Sequence, residues 1–104
     1  MAPQASRMNL RYRAAAKLDI QEARDWYRAI SPALEARFAD AIVNTLTIAL
    51  DHPRAFPVVR HDDVRRAVVS GFPYQVFYRL RNGDLIVIAV THSSRHPRSW
   101  QRRR

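Results

Sequence analysis

The dipeptide Asn82-Gly83, which stands between two apolar runs, most constrains what this chain can fold into. A type I′ turn needs positive φ at both central positions, and asparagine followed by glycine tolerates this conformation. In the run before the turn, side chains alternate as two sets: Tyr74, Val76, Tyr78 and Leu80 against Gln75, Phe77 and Arg79. Residues 85–92 supply the return strand. The sequence therefore predicts an antiparallel hairpin over residues 74–92.

Two helices are predicted ahead of this hairpin. From Ala14 to Ile30, apolar residues recur at spacings of three and four, which places them on one helical face. Ser31 and Pro32 then supply a second helix start, because a serine oxygen accepts from an orphan N–H and proline at the first helical position gives up no needed donor. This helix ends just before Pro53, since proline disfavours helical geometry in the residue preceding it. The short connection predicts that the two helices pack antiparallel.

The remaining segments complete one α+β domain. Residues 8–12 alternate as a short N-terminal strand, residues 53–63 have loop composition, and residues 64–70 indicate a buried strand. The order β-α-α-β-β-β predicts an antiparallel helical hairpin packed on a small antiparallel β-sheet. A chain of 104 residues has room for a single domain, 1–104, and residues 1–8 and 101–104 are expected to be loosely held.

The composition excludes several classes of function. The chain has no cysteine, which rules out a disulfide scaffold, thiolate metal sites and thiol catalysis, and fits a reducing compartment. Its 4 histidines lack ligand spacing, so we expect no metal and no other cofactor. No apolar run approaches the roughly 20 residues of a membrane span, and no signal-peptide pattern opens the chain. We therefore expect a cytoplasmic protein with no membrane partner.

The charge is strongly basic and unevenly distributed. Lys plus Arg is 18 against 9 Asp plus Glu, which gives a formal charge of +9, and all but one of the basic residues are arginine. Residues 60–104 carry ten basic and three acidic side chains, whereas residues 1–59 carry eight and six. Such a chain favours anionic partners, and its C-terminal half is the expected docking surface.

Several short motifs occur in a fixed order along the chain. They are Tyr12-Arg13-Ala14-Ala15-Ala16, Trp26-Tyr27, Phe38, His52-Pro53, Arg65-Arg66, Phe72-Pro73-Tyr74, Val76-Phe77-Tyr78-Arg79, Ile88-Ala89-Val90, His92, Arg95, Pro97 and Trp100. In this order and spacing they resemble the RelE/ParE superfamily of toxins from bacterial type II toxin-antitoxin systems. The resemblance implies a small β-sheet cupping two N-terminal helices, which agrees with the pattern of elements.

The superfamily has two branches that differ in activity. RelE-like members are ribosome-dependent mRNA endoribonucleases, and ParE-like members inhibit DNA gyrase without hydrolysing anything. The nuclease branch usually has an arginine one position after the aromatic that matches Tyr74, where it stabilises charge on the attacked phosphate. This chain has Gln75 there, and its single lysine, Lys17, lies far from the sheet segments. These departures favour the ParE-like branch, which implies no catalytic residues.

The RelE-like alternative stays open on the sequence. In it, Arg66, Arg79, His92 and Arg95 would share transition-state stabilisation and proton transfer during mRNA cleavage. We interpret His92 instead as a strand-end residue that caps the turn into Ser93-Ser94. The sequence thus favours a protein that is not an enzyme and leaves the enzymatic alternative open.

The resemblance also implies partners and the residues that contact them. The expected target is DNA gyrase, bound through Arg65, Arg66, Arg79, Arg95, Arg98 and Trp100. A cognate antitoxin, acidic and apolar in its binding segment, would form a hetero-oligomer with the chain through Trp26, Tyr27 and Phe38. Operator DNA would be bound through the antitoxin alone. Trp100 has two interpretations: it folds back on the sheet, or it anchors a partner.

Overall fold

The computed structural model describes residues 8–104, in which five strands form one sheet. The elements are β1 (Asn9–Tyr12), α1 (Ala14–Ile30), α2 (Pro32–Asp51), β2 (Val58–Arg60), β3 (Val64–Val68), β4 (Tyr74–Arg81), β5 (Asp84–His92) and α3 (Arg98–Gln101). The strand order across the sheet is β1-β5-β4-β3-β2. The α+β class is confirmed. The prediction of looseness for residues 1–7 lies outside the described residues.

The helical hairpin begins and ends where the local signals predict. Ser31 is extended, and its Oγ accepts a hydrogen bond of 3.0 Å from the N–H of Leu34, while Pro32 occupies the first helical position. The second helix ends at Asp51, two residues before Pro53. Both boundaries depend on neighbouring residues alone, which is why the sequence predicts them.

The sheet is mixed, whereas the sequence predicts an antiparallel one. β3, β4 and β5 pair antiparallel, but β1 pairs with β5 in parallel, with Leu10 opposite Leu85. The N-terminal strand thus enters the sheet beside the last strand of the chain. Alternation over five residues predicts a strand but carries no information on its neighbour or its direction.

The predicted loop over residues 53–63 contains a short strand, β2, that pairs with β3 at the edge of the sheet. The connection to β3 includes Asp63 with a φ of 61°, and the pairing is irregular between Val58 and Arg60. Three residues beside Pro57 are too few to produce a periodic pattern. Pairing with the neighbouring strand defines this element.

The hairpin between β4 and β5 is confirmed. Asn82 and Gly83 have φ values of 51° and 80°, as a type I′ turn requires, and Arg81 pairs with Asp84 across its base. Further along, Phe77 pairs with Ala89 while Tyr78 pairs with Val87, so β5 has one extra residue at this point, a β-bulge.

Both faces of the sheet are covered. On the inner face, against α1 and α2, lies the main core, which includes Phe38, Leu46, Val76, Tyr78, Leu85 and Val87. A smaller core on the outer face includes Val64, Phe77, Ile86, Ile88 and Trp100. The bulge brings two consecutive residues of β5, Ile88 and Ala89, to the outer core, and the next residue, Val90, returns to the inner one.

The C-terminal segment closes the outer face and then reaches the first helix. α3 carries Trp100 onto the sheet, and the guanidinium of Arg103 pairs with the carboxylate of Asp19 on α1. Arg103 also donates to the carbonyl of Ile88 at 3.2 Å. An ion pair with a residue 84 positions away leaves no local signal in the sequence, and the prediction that residues 101–104 are loosely held stays a prediction.

Candidate functional site

His92 ends β5 and lines a small pocket of about 200 Å³ at the inner face of the sheet. The pocket, here called the His92 pocket, is lined by Asp19, Glu22, Ala23, Trp26, Tyr74, Val90, Thr91, His92, Arg95, Ser99 and Arg103. The Nδ1 atom of His92 accepts from the N–H of Ser94 at 3.1 Å and lies 2.7 Å from its hydroxyl. Its ring packs edge-on against Tyr74, with 5.2 Å between centroids. His92 thus caps the turn after β5.

The four residues of the nuclease alternative do not form one site. His92 pairs with Tyr74 at the start of β4, whereas Arg79 pairs with Ile86 near its end, five residues on. At about 3.4 Å per residue this is roughly 17 Å along the strand. The two residues also lie on opposite faces of the sheet, since Arg79 shares the face of Phe77. Arg66 lies opposite Phe77 on the outer face, and Arg95 lines the His92 pocket.

Arg65 stabilises a loop, and its assignment to target binding stays a prediction. Its side chain is 12% exposed and pairs with Asp63 at 3.0 Å. Its Nη1 donates to the carbonyls of Arg54 and Phe56, at 2.9 and 2.8 Å. A guanidinium with these three partners has few donors left for another molecule. Arginine composition alone does not distinguish such a residue from an exposed one.

Trp100 is a core residue, and its assignment as a target anchor likewise stays a prediction. It is 9% exposed and stacks on Phe77 with centroids 4.1 Å apart and planes 14° from parallel. Of the two interpretations of Trp100, the one in which it folds back on the sheet is the observed one. Its neighbour Arg98 is exposed at the start of α3, and Arg66 is exposed on the same face of the sheet.

Two of the three residues assigned to antitoxin binding belong to the main core. Phe38 is fully buried, and Tyr27 is 9% exposed. Their rings lie 5.0 Å apart, and each meets Phe72 and Tyr74 edge-on at 5.2 to 6.1 Å. This aromatic cluster joins the helices to the sheet. Trp26, the third residue, is 67% exposed on α1 and remains available to a partner.

The helical hairpin exposes further apolar side chains that the motifs in the sequence did not indicate. They are Leu18 and Ile30 on α1 and Val43 and Ile48 on α2, each more than half exposed. A groove of about 300 Å³ runs between the helices, lined by Tyr12, Lys17, Ile20, Arg24, Ala39, Ile42 and Val43. We call this the hairpin groove. Val43 and Ile48 lie off the core stripe of the second helix, and that displacement is the signal that could have found them.

An ion-pair cluster joins the two helices near the turn that connects them. Glu35 accepts from Arg24 at 3.1 Å and from Arg28 at 2.7 and 3.0 Å. The hydrogen bonds from Arg28, followed by the charges of Arg28 and Arg24, hold the pKa of Glu35 below its usual value. The two helices are thereby joined beside the exposed apolar side chains.

A second and larger depression, of about 820 Å³, lies at the far end of the sheet from His92. Its lining is Arg13, Arg60, His61, Asp62, Arg79, Arg81, Gln101, Arg102, Arg103 and Arg104, and we call it the cationic basin. Arg60 donates two hydrogen bonds to Asp62, of 2.6 and 2.8 Å, and this contact lowers the pKa of Asp62 to about 2. The single carboxylate of the lining is therefore ionised and already paired.

The described part of the chain offers no metal site. Among residues 8–104 no group of three or more His, Cys, Asp or Glu side chains converges as metal ligands. In the same residues no helix is long and apolar enough to span a membrane.

The sequence matches a known protein family, and the fold is similar to a solved structure. The model of a family described as "ParE toxin of type II toxin-antitoxin system, parDE" matches residues 10–97. A solved structure titled "Chromosomal ParDE TA system from P. aeruginosa" is similar, with a TM-score of 0.74 and 16% sequence identity. The match covers 85% of this chain and 98% of that one. No curated protein matches the sequence.

The matched family defines the class of this protein as the toxins of type II toxin-antitoxin systems. Within that class, the chain belongs to the ParE toxin family, whose model matches most of its length. The solved structure supports the fold, including the helical hairpin and the sheet. The resemblance to the ParE-like branch is confirmed, and an antitoxin is the partner that membership of such a system implies.

Proposed function

We propose that this ParE-like toxin stops growth by binding DNA gyrase in the cytoplasm and blocking replication, without catalysing a reaction itself. The observation that carries the proposal is the separation of Arg79 from His92, about 17 Å apart along β4 and on opposite sheet faces. Phosphodiester cleavage needs an acid or base and a charge clamp around one phosphate. A binding surface has no such requirement.

The proposed target surface is the exposed arginine set of the C-terminal half. Arg66 and Arg98 are exposed on the outer face, and Arg95 is exposed in the turn between β5 and α3. Arg79 is half-buried on the same outer face as Phe77. Planar guanidinium groups bind carboxylates in a bidentate manner, and an acidic protein surface supplies such groups. Arg65 and Trp100 support this surface from within.

The proposed antitoxin surface is the helical hairpin. Trp26 and the apolar side chains of the hairpin groove would take the apolar residues of an amphipathic segment, while Lys17 and Arg24 would pair with its carboxylates. An acidic and apolar antitoxin segment fits both features. Operator DNA would then be bound through the antitoxin, in a hetero-oligomer with the toxin.

Induction of the toxin alone in growing bacteria tests the target. We expect plasmid supercoiling to change and a DNA-damage response to appear, while primer extension shows intact messages. The double variant Arg95→Gln/Arg98→Gln should lose most of this effect, because two target contacts are removed. The matched control is Arg37→Gln, an exposed arginine on α2 that is outside the proposed target surface.

Three results of this experiment would contradict the proposal. Cleavage of messages within codons on ribosomes would revive the nuclease alternative, in which His92 acts with Arg95. Growth arrest with unchanged supercoiling, and unchanged activity of purified gyrase, would exclude gyrase as the target. Equal loss of toxicity in the Arg37→Gln control would show that the effect reflects total charge.

A further inference from the structure

The cationic basin has a charge that its own surroundings do not balance. Seven arginines line it against one side-chain carboxylate, Asp62, and one of them, Arg13, donates to the main-chain oxygen of Arg104 at 3.1 Å. Arg60 already holds that carboxylate, and Arg103 is paired with Asp19. Within residues 8–104, no ion pair joins Arg81 or Arg102 to a carboxylate, and Arg79 acts on Asp62 through its charge without an ion-pair contact. Positive charges gathered in one depression raise the local concentration of anions.

Arg79 lines the cationic basin as a half-buried side chain. Its Nε is buried and has no acceptor in the part of the chain described here. Because solvent does not reach that atom, an oxygen from outside meets it only after the side chain moves, and the attraction of the basin for anions rests on the guanidinium charges. Arg81, two residues further along β4, lines the basin together with Arg79.

The absence of apolar lining decides which kind of anion fits. Every lining residue is arginine, histidine, aspartate or glutamine. Protein interfaces have an apolar or aromatic centre that carries most of the affinity, and this depression has none to offer. Interfaces with nucleic acid are more polar and much more positively charged, and arginine forks match phosphate oxygens. A volume of about 820 Å³ also exceeds what a single phosphate group needs.

We propose that the cationic basin binds the phosphodiester backbone of a nucleic acid, without reading its sequence. Arg79, Arg81 and Arg102 contact successive phosphates, and Arg60 and Arg103 line the walls while bound to their own carboxylates. The contact is distinct from operator recognition, which is assigned to the antitoxin. It goes beyond the proposed action on gyrase and shares Arg79 with the proposed target surface, whereas Arg81 and Arg102 belong to the basin alone.

Fluorescence anisotropy of the full-length toxin with labelled nucleic acids tests this proposal. The probes are two duplex DNAs of unrelated sequence, a single-stranded DNA and an RNA of the same length, with a polyglutamate peptide as competitor. We expect equal affinity for the two duplexes and a steep loss of affinity with salt. Tighter binding of duplex or of single strands identifies the form that the basin accepts.

Single substitutions locate the contact. Each of Arg79→Gln, Arg81→Gln and Arg102→Gln should weaken duplex binding about eightfold at 0.1 M salt, and lower the slope of log K against log salt by about one, since one phosphate contact contributes a slope of about 0.9. Arg81 and Arg102 are exposed, so their substitution leaves the fold intact even if Arg79→Gln perturbs it. The control Arg37→Gln removes the same charge from α2 and should change binding less than twofold.

Three results would overturn the proposal. The first is a loss in Arg37→Gln equal to that of the basin variants, which would reduce the effect to net charge. The second is displacement of DNA by polyglutamate at lower concentration than by unlabelled duplex, which would assign the basin to an acidic peptide. The third is no binding of any nucleic acid at 0.1 M salt. The induction experiment measures gyrase inhibition separately, and because Arg79 belongs to both surfaces, Arg81→Gln and Arg102→Gln are the variants that distinguish the two proposals.

Discussion

Tyr78 is a buried residue whose hydroxyl group has a hydrogen-bond partner within the fold. Its ring is fully buried in the main core, and its hydroxyl donates to the carbonyl of Pro53 at 2.7 Å. That bond connects β4 to the segment that follows α2. Burial raises the pKa of Tyr78 from 10.0 to about 12, with the charge of Arg65 acting in the opposite direction. The folded protein thus keeps a proton that the unfolded chain loses near pH 10.

The raised pKa of Tyr78 predicts a loss of stability in alkali. Between pH 10 and 12 the unfolded state binds fewer protons than the folded state, so the free energy of unfolding falls as pH rises. The full difference of two pH units corresponds to about 2.7 kcal/mol. Tyr78→Phe removes this dependence and also the hydrogen bond to Pro53, which costs about 1 kcal/mol at neutral pH. Urea unfolding of both proteins from pH 7 to 12 measures the difference.

The comparison with Tyr78→Phe separates this residue from the other tyrosines. Tyr12, Tyr27 and Tyr74 also have raised pKa values because of burial, so both proteins lose stability in alkali. The advantage of the unchanged protein over Tyr78→Phe, about 1 kcal/mol at neutral pH, should therefore shrink above pH 10 and reverse by pH 12, because the alkaline loss exceeds it. Parallel curves would mean that Tyr78 ionises in the folded state as easily as in the unfolded chain.

At the scale of elements, the unpaired edge of β5 explains why α1 and the C-terminal segment meet. β1 ends at Tyr12, and the last bond of that edge joins the N–H of Arg13 to the carbonyl of Val87. Beyond it, Asp19 accepts from the N–H of Val90 at 2.9 Å, and Arg103 donates to the carbonyl of Ile88. The Asp19–Arg103 pair thus replaces the missing strand at the bulge.

Removal of Asp19 should therefore destabilise the fold. Asp19→Ala leaves the N–H of Val90 and the guanidinium of Arg103 without their acceptor, and we expect the free energy of unfolding to fall by about 2 kcal/mol. Glu22→Ala, one turn further along α1 and exposed, should change it by less than about 0.5 kcal/mol. Urea unfolding gives both values, and hydrogen exchange at Val90 reports the local contact. Unchanged exchange at Val90 in Asp19→Ala would contradict this role.

Local signals predicted most elements, and non-local contacts account for the rest. Ser31, Pro32 and Pro53 determine helix boundaries through neighbouring atoms, and Asn82-Gly83 determines a turn through its own dihedral angles. By contrast, β2, the parallel direction of β1 and the packing of α3 depend on partners distant in sequence. Physical reasoning from one sequence has no access to those partners before the chain is folded.

The candidate surfaces were harder to predict than the fold for a related reason. Residue type suggested arginines for binding and aromatics for partners, but burial divides each group. Arg65 is bonded within the fold while Arg66 is exposed, and Tyr27 is buried while its neighbour Trp26 is exposed. Adjacent residues on a strand or helix face different ways, so an assignment by composition mixes the two.

At the scale of the whole molecule, two kinds of surface lie on opposite sides. The helical hairpin presents exposed apolar side chains, and the outer face of the sheet presents arginines. The formal charge of +9 is concentrated in the C-terminal half, which forms most of the sheet. In the proposed arrangement, the antitoxin binds the hairpin by apolar contact while long-range attraction acts from the sheet.

The two tryptophans report which side an antitoxin covers, because Trp26 is 67% exposed on the hairpin and Trp100 is 9% exposed under α3. We expect acrylamide to quench Trp26 in the free toxin and to lose access to it in the complex, whereas Trp100 stays protected in both. Trp26→Phe isolates the Trp100 signal, and an antitoxin without tryptophan keeps the readout clean. Because exposed aromatic anchors contribute about 2 kcal/mol at interfaces, Trp26→Ala should weaken antitoxin binding about thirtyfold. Quenching of Trp26 that is equal in free toxin and complex would contradict the assignment of Trp26 to the antitoxin surface.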